Sequence, residues 1–365
     1  MSSTNRTLAA AARPARTRPE VAKMPRVTVV IPCYNYAHYL PEAVRSALDQ
    51  PGVDVDVIIV DDASRDGSVD VARELAARDD RISVVAHETN HGHIATYNDG
   101  LGRAGGEYVV LLSADDLLAP GALARSTAVM EAHRGVGLVY GYAEDFVDVP
   151  APDRPRRSST RIWSGGAWLR RMCVRGSNTI VNPEAIMRRS VLESVGAYDP
   201  ALPQTADMDL WMRAAAVSDV ARVNGPVQAY YRVHGGNMHL TTFAGDLVDF
   251  RARLNTFDLF FAEGGFYTAR DAGALHRIAR RTMAKEALRR AGVLEGQGPE
   301  GRAASAEFTQ AARECLPRIV RTPGWRLHVW RLGHPIAARP LARTHALLER
   351  ARWSLRWRRW RRFGT

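Results

Sequence analysis

Apolar positions along this chain fall into short blocks whose period switches repeatedly between strand and helix. Val27-Thr28-Val29-Val30-Ile31-Pro32 is an almost unbroken β-branched run stopped by proline, the pattern of a strand buried on both faces. Residues 38–50 then place Leu40, Ala43, Val44, Ala47 and Leu48 on one helical face. Val55-Asp56-Val57-Ile58-Ile59-Val60 predicts a second buried strand, ending at Asp61-Asp62. Asp66-Gly67-Ser68 reads as the turn and cap that open a helix over 69–77. Residues 81–86 predict a third strand and 95–103 a short helix. The stretch Gly106-Glu107-Tyr108-Val109-Val110-Leu111-Leu112 is a fourth strand that ends in Ser113-Ala114-Asp115-Asp116. This alternation predicts an α/β fold built on a doubly wound sheet. Ligands of such sheets bind beyond the carboxyl ends of the strands. The polar clusters at 32–35, 61–64 and 113–116 should therefore meet along one edge.

The pattern weakens after Leu118. Residues 137–142 read as a strand, 150–160 as a Pro/Arg/Ser loop, and 179–181 and 185–187 as short strands. A short helix is predicted over 189–195. Another over 207–217 has Leu210, Trp211, Ala214 and Ala215 on one face and Asp207 in its first turn. Residues 227–233 predict a strand. Beyond 241 the chain reads as helical over 246–261, 269–290 and 302–316, with a Gly/Pro-rich break at 292–301. The expected organisation is a disordered basic arm (1–25), an α/β body (26–240), a helical extension (241–317) and a basic tail (318–365).

Charge sharpens this division. The net charge of the 365 residues is +11, of which residues 1–26 carry +5 and residues 318–365 carry +12, leaving −6 on the body between them. An acidic body with two basic ends argues against a nucleic-acid groove inside it. No apolar run approaches the ~20 residues of a membrane span. The first 25 residues lack the apolar core of a secretory signal. Cys33, Cys173 and Cys315 are scattered and odd in number, which fits a reducing cytoplasm rather than a disulfide framework or zinc site.

Two adjacent carboxylates at the end of a buried strand repel each other and are costly to desolvate. A divalent cation such as Mg2+ or Mn2+ would relieve that cost. The alternative is a solvated turn in which Asp116 caps the next helix. Taken together, Val30-Ile31-Pro32-Cys33-Tyr34-Asn35, Asp61-Asp62-Ala63-Ser64-Arg65-Asp66-Gly67-Ser68 and Gly105-Gly106-Glu107-Tyr108 leading to Ala114-Asp115-Asp116 resemble glycosyltransferase family 2, over roughly residues 27–240. The resemblance implies a GT-A fold, a doubly wound mixed sheet flanked by helices, here followed by a helical C-terminal region. It also implies an inverting, metal-dependent transfer of sugar from a nucleotide-diphospho-sugar to an acceptor hydroxyl, in cell-envelope, polysaccharide or glycolipid synthesis.

The same resemblance assigns roles. Pro32, Tyr34 and Asn35 would pack around the nucleotide, with Asp62 accepting from its base. Ala114 and Asp115 would lie at the diphosphate, with Asp115 holding Mg2+ or Mn2+. Ser113 stands where the family often has a first Asp. In Thr205-Ala206-Asp207-Met208-Asp209, Ala206 replaces a Glu and Asp207 matches the general base; the alternative is that Asp207 and Asp209 merely favour a helix N-terminus. His234, in Tyr231-Arg232-Val233-His234, matches a histidine that reaches the metal in some relatives, or is structural. Arg232 would pair with the diphosphate or face solvent. His91 and His93 are too close in sequence to share an ion comfortably. Asn90, Gly92 and Asn98 would flank the donor sugar. Trp163 and Trp168 are core residues or acceptor contacts. Trp353, Trp357 and Trp360 at helical spacing among arginines predict a helix lying on an anionic membrane, the alternatives being nucleic acid or packing on the body. The expected partners are thus a nucleotide-sugar donor, a glycan or lipid-linked acceptor and the inner face of a membrane, with no nucleic acid. The departures at Ser113 and Ala206 leave a second reading, a nucleotide-binding scaffold without catalysis.

Overall fold

The computed structural model describes residues 24–151, 157–180, 182–238, 245–295 and 297–363, without the side chains of 335–343, 345, 353 and 361–363. The predicted basic arm lies almost entirely outside these residues. The β-branched runs form β1 (Arg26–Cys33), β2 (Asp54–Asp61), β3 (Ile82–Ala86) and β4 (Tyr108–Leu111), all mutually parallel where they pair. Between them run α1 (Leu40–Leu48), α2 (Ser68–Arg78) and α3 (His93–Gly102). β5 (Leu117–Leu118) follows the paired carboxylates. Next come α4 (Ala122–Ala132), β6 (Val136–Tyr140), β7 (Ala143–Phe146), β8 (Ser159–Trp163), α5 (Gly165–Arg175), β9 (Ile186–Arg188), α6 (Arg189–Val195), α7 (Ala206–Val217), β10 (Asp219–Asn224) and β11 (Ala229–Arg232). Helices α8 (Asp246–Phe260), α9 (Ala272–Leu294), α10 (Gly298–Cys315), α11 (Pro323–Gly333) and α12 (Pro335–Phe363) complete the chain.

The main sheet has eight strands in the order β3-β2-β1-β4-β9-β6-β10-β8. It is mixed because β9 runs antiparallel to both β4 and β6, and β8 antiparallel to β10. Alternation along β1 feeds two cores. Val27, Val29 and Ile31 join one cluster with α1, and Val30 joins the other. The second cluster continues without a break into Phe250, Phe257 and Phe308 of the C-terminal helices, which therefore pack on the α/β body as part of one core. Close helix–sheet approach requires a glycine at position 100, where a Cβ would stand 2.3 Å from Val30 Cγ1.

The second sheet, in the order β5-β11-β7, matters most for the site. Its ladder sets Ala229 opposite Leu118 and Tyr230 opposite Leu117. Residues just beyond β11 are thereby delivered to the carboxylates just before β5.

Several elements differ from the sequence pattern. Of the strand predicted over 179–181, residues 179 and 180 carry no regular structure and Val181 lies outside the described residues; residues 182–184 form a single 3-10 turn. α9 runs through Gly292, so the predicted break narrows to the few residues before Gly298. The predicted amphipathic tail holds α11 and the long helix α12, and one of the tryptophans expected to face a membrane turns into the body instead. Trp360 is 2% exposed, packed with Leu117, Tyr142, Phe146 and Tyr230, and its indole N–H donates to Thr179 O at 3.0 Å. The side chain of Trp353 is outside the described set.

Candidate active site

One cavity of about 840 Å3 opens along the carboxyl edge of the main sheet. Its walls include Pro32, Tyr34, Asn35, Asp62, Ala114, Asp115 and Asp207, which come from four separate strand or helix ends. The three polar clusters and the start of α7 thus converge on one space.

The loops after β1 and β2 are built as a pair. Each passes through the left-handed region at a residue with a side chain, Asn35 (φ 59°) and Ala63 (φ 59°). Their backbones are then laced together. Asn35 N–H donates to Ser64 Oγ (2.9 Å), Tyr36 N–H to Ser68 Oγ (3.0 Å), Ala37 N–H to Asp66 Oδ2 (3.0 Å), and Arg65 N–H to Asn35 Oδ1 (2.8 Å). Asp66 also accepts from Ser68 N–H, the first amide of α2, so its capping role and its tie to the β1 loop are one structure. Tyr34 stays 44% exposed at the cavity, an aromatic face available to a planar ring. Asp62 is buried and accepts from His91 N–H (2.8 Å), Gly92 N–H (2.9 Å) and His87 Nδ1 (2.8 Å). Burial would raise its carboxyl, but His87 and these amides hold it below the usual carboxylate range. A base N–H would share this carboxylate with the loop that it already organises.

The paired carboxylates are unequal. Asp116 is 2% exposed and accepts from Arg232 N–H at 2.9 Å; burial first, and then the neighbouring Asp115 charge, push its carboxyl well up. Asp115 lines the cavity and its Oδ2 lies 3.0 Å from His234 Nε2. Gly236 N–H donates to the other ring nitrogen, Nδ1, at 3.1 Å, which leaves the imidazole proton on Nε2 facing Asp115. The Tyr36 hydroxyl also meets Asp115; burial raises this phenol, and the charges of Asp115 and Asp116 add to it.

A carboxylate and an imidazole suit a divalent ion. Neighbouring ligands of an octahedral shell with bonds of about 2.1 Å stand about 3.0 Å apart. The Asp115–His234 separation fits that spacing, but an ion on Nε2 would displace the proton there to Nδ1 and end the hydrogen bond from Gly236 N–H. Among the described residues no set of three or more His, Cys, Asp or Glu is arranged to hold an ion by itself. A shell begun here would need outside ligands.

Asp207 is half-buried at the cavity wall, in the first turn of α7. Enclosure by protein pushes its carboxyl up to about 6, against the opposing effects of the Met208 amide and of Asn178, whose Nδ2 donates to Asp207 Oδ2 at 2.7 Å. Such a carboxylate is ionised at neutral pH yet remains a competent proton acceptor. Buried Tyr97 lies within reach of the charges of both Asp115 and Asp207, and burial followed by those two charges raises its phenol.

Other expectations change. Arg232 neither faces solvent nor reaches into the cavity. It is 4% exposed, sits between the rings of Tyr39 (4.4 Å) and Phe146 (4.3 Å), donates to Asp115 O (2.8 Å) and pairs with Glu42 (2.7 Å). It is a brace for the 115–116 turn, because planar guanidinium geometry satisfies main chain, acid and two rings together. Asn98 does not line the cavity; its side chain exchanges hydrogen bonds with the Tyr198 backbone (2.8 and 2.9 Å). Asn90 and Gly92 do line it. His91 stacks on His87, while His93 meets Pro203 O at 3.0 Å, so the two do not converge. Trp163 and Trp168 are core residues, 7% and 2% exposed. Asp209 is paired with Arg213 at 2.7 Å in a buried contact. Asn178 had no signal in sequence, because an isolated Asn after a helix carries no motif.

The model of the family described as glycosyl transferase family 2 matches residues 28–196. The chain is 31% identical over 227 residues to an uncharacterized glycosyltransferase of Nostoc sp., covering 59% of this chain and 67% of that protein. It is 35% identical over 119 residues to the GalNAc(5)-diNAcBac-PP-undecaprenol beta-1,3-glucosyltransferase of Campylobacter jejuni, covering 32% of this chain and 38% of that one. The matches thus take in about two thirds or less of these relatives' own length. Among solved structures the chain is similar to S. aureus TarS 1–349 in complex with UDP-GlcNAc, with a TM-score of 0.52, 15% identity and coverage of 80% of this chain and 91% of that one. It is also similar to the mannosyltransferase PcManGT of Pyrobaculum calidifontis in complex with GDP-Man and Mn2+, with a TM-score of 0.52, 18% identity and coverage of 92% and 88%. At these identities the solved structures speak to the fold.

Proposed function

The chain belongs to glycosyltransferase family 2, and on that premise we propose that it moves a sugar, with inversion, from a nucleotide-diphospho-sugar to an acceptor hydroxyl. The observation that carries this reading is the shared cavity of Asp115 and Asp207. Pro32, Tyr34, Asn35 and Asp62 would receive the nucleoside, Tyr34 through its exposed ring. Asp115 and His234 would hold Mg2+ or Mn2+, whose remaining ligands would be diphosphate oxygens and water. When bound, the ion would offset charge building on the leaving diphosphate.

The chain's own residues supply the rest. Ala114 leaves room for the diphosphate beside Asp115. Asp207, oriented by Asn178, accepts the proton of the attacking hydroxyl, so that one displacement at the anomeric carbon both forms the new glycosidic bond and breaks the old one. Glycolipid, polysaccharide or cell-envelope synthesis supplies the acceptor, in keeping with the undecaprenol-linked substrate named for the C. jejuni relative. The working position is cytoplasmic, against the inner face of a membrane. No helix of the described residues is long and apolar enough to cross a membrane. Leu348 and Leu355, 62% and 60% exposed, lie seven residues apart on the side of α12 away from Trp357, among arginines.

The test is a panel of nucleotide sugars with Mn2+ followed by thermal shift and by release of nucleoside diphosphate. A donor that raises the melting temperature in wild type and not in Asp115→Ala, and that is turned over with an acceptor, supports the reading. Ser113 and Ala206, uncharged where the family often has acids, motivate the rival of a scaffold without catalysis. Metal-dependent donor binding with neither transfer nor donor hydrolysis would favour that rival.

A further inference from the structure

Two residues of the cavity wall have no part in the chemistry above. Trp357 stacks on Trp360 with ring centroids 4.8 Å apart, yet it remains 40% exposed and lines the cavity. Its place is fixed from both sides. Trp360 is buried and donates to Thr179 O, and Arg356 Nη2 donates to Arg175 O at 3.0 Å. The end of α12 is therefore fastened onto the segment that follows α5, the segment whose Asn178 holds Asp207. Arg175 belongs to the same wall. Its Nε reaches Ser177 Oγ at only 3.4 Å, and among the described residues the groups acting on its charge are the like charges of Arg356 and Arg222, with Tyr140 opposing them. Burial and those like charges lower its guanidinium to about 10. Among the described residues the acids of this cluster serve its neighbours, Glu184 near Arg222 and Glu286 and Glu349 near Arg356, so the half-buried cation of Arg175 is the one that gains most from an arriving anion.

We propose that Trp357 and Arg175 form the acceptor subsite, with the indole as platform for a pyranose ring and the guanidinium as partner for an acidic group, phosphate or carboxylate, carried by that acceptor. This rests on the acceptor entering beside Asp207, as proposed above. A pyranose presents an apolar C–H face that suits an aromatic ring, and a guanidinium pairs with either oxyanion through two parallel hydrogen bonds. The two residues are brought together only because α12 folds back on the body. The subsite would thus select acceptors independently of the donor half of the cavity.

The test titrates three probes into the full chain saturated with Mn2+ and either UDP or GDP: methyl glucopyranoside, its 6-phosphate and methyl glucuronide. Wild type should bind at least one acidic probe about tenfold or more tightly than the neutral one. Arg175→Gln should erase that preference and Arg175→Lys should keep most of it. Trp357→Ala should weaken all three probes about fivefold or more, with Trp357→Phe retaining much of the binding. Neither residue's variants should change UDP or GDP affinity by more than about twofold. A preference for the phosphate alone identifies a phosphate-bearing acceptor, and equal binding of both acidic probes shows that a carboxylate suffices. No acidic preference in wild type, a preference that survives Arg175→Gln, or a fall in nucleotide affinity in Arg175→Gln would overturn the subsite. Failure of both nucleotides to bind wild type would instead remove the functional reading, and the subsite with it.

Discussion

Asp207→Asn should make the protein more stable at neutral pH while it abolishes transfer. The folded-state carboxyl titrates at about 6 against an ordinary 3.8, because burial disfavours its charged form. At about 1.4 kcal/mol per pH unit, that difference corresponds to about 3 kcal/mol. The sign follows from the direction. A carboxyl raised on folding favours the folded chain below pH 3.8, and this contribution disappears as pH rises through about 6. Wild type therefore carries an ionised, poorly solvated carboxylate at pH 8 that the amide variant lacks. The amide cannot accept from both Met208 N–H and Asn178 Nδ2, so one hydrogen bond is lost, at about 1 kcal/mol at every pH. The variant should be less stable than wild type by about 1 kcal/mol near pH 3 and more stable by about 2 kcal/mol near pH 8. Urea unfolding of both proteins across that range reads the gap directly. Transfer, followed by nucleoside diphosphate release, should fall about a hundredfold or more. A stability gap that stays flat with pH, or turnover near the wild-type rate, refutes the assignment of Asp207 as an enclosed base.

Two further outcomes follow from the same geometry. Asn178→Ala removes a hydrogen bond that lowers the Asp207 carboxyl, so the acidic limb of the rate profile should move to higher pH by about half a unit to one unit; an unmoved limb with a merely lower rate would make Asn178 structural. Sedimentation with anionic vesicles should capture the full chain at low salt and release it near 0.3 M salt, roughly, where exposed charges are screened. Leu348→Glu with Leu355→Glu should weaken capture, and equal binding to neutral vesicles would contradict the charged-surface reading.

The sequence was most legible where burial was most complete. β1, β2 and β4 are enclosed on both faces, so their β-branched runs needed no partner to be read. β10 was hidden because Arg222 sits in its centre; the structure shows that side chain fully buried, facing the rings of Tyr140 (6.0 Å) and Trp360 (5.4 Å), the latter more than a hundred residues away. The same distance explains the tail. A repeat of Trp among Arg describes a membrane helix and a docked helix equally well, and only the groove that accepts Trp360 decides which face turns inward. At the site, the strand-end clusters declared themselves, whereas the bracing role of Arg232 and the orienting role of Asn178 depend on contacts that no local pattern records.

The short ladder between β5 and β11 holds Asp115 and His234 in register although more than a hundred residues separate them. The loops between α5 and α7 lie outside that ladder, so they can change in length while the pair keeps its distance. Arg175, Asn178 and Asp207 all sit in or at the ends of those loops. A chain of this design can acquire a new clientele of alcohols by remodelling those loops, and its grip on the activated sugar need not be reinvented each time.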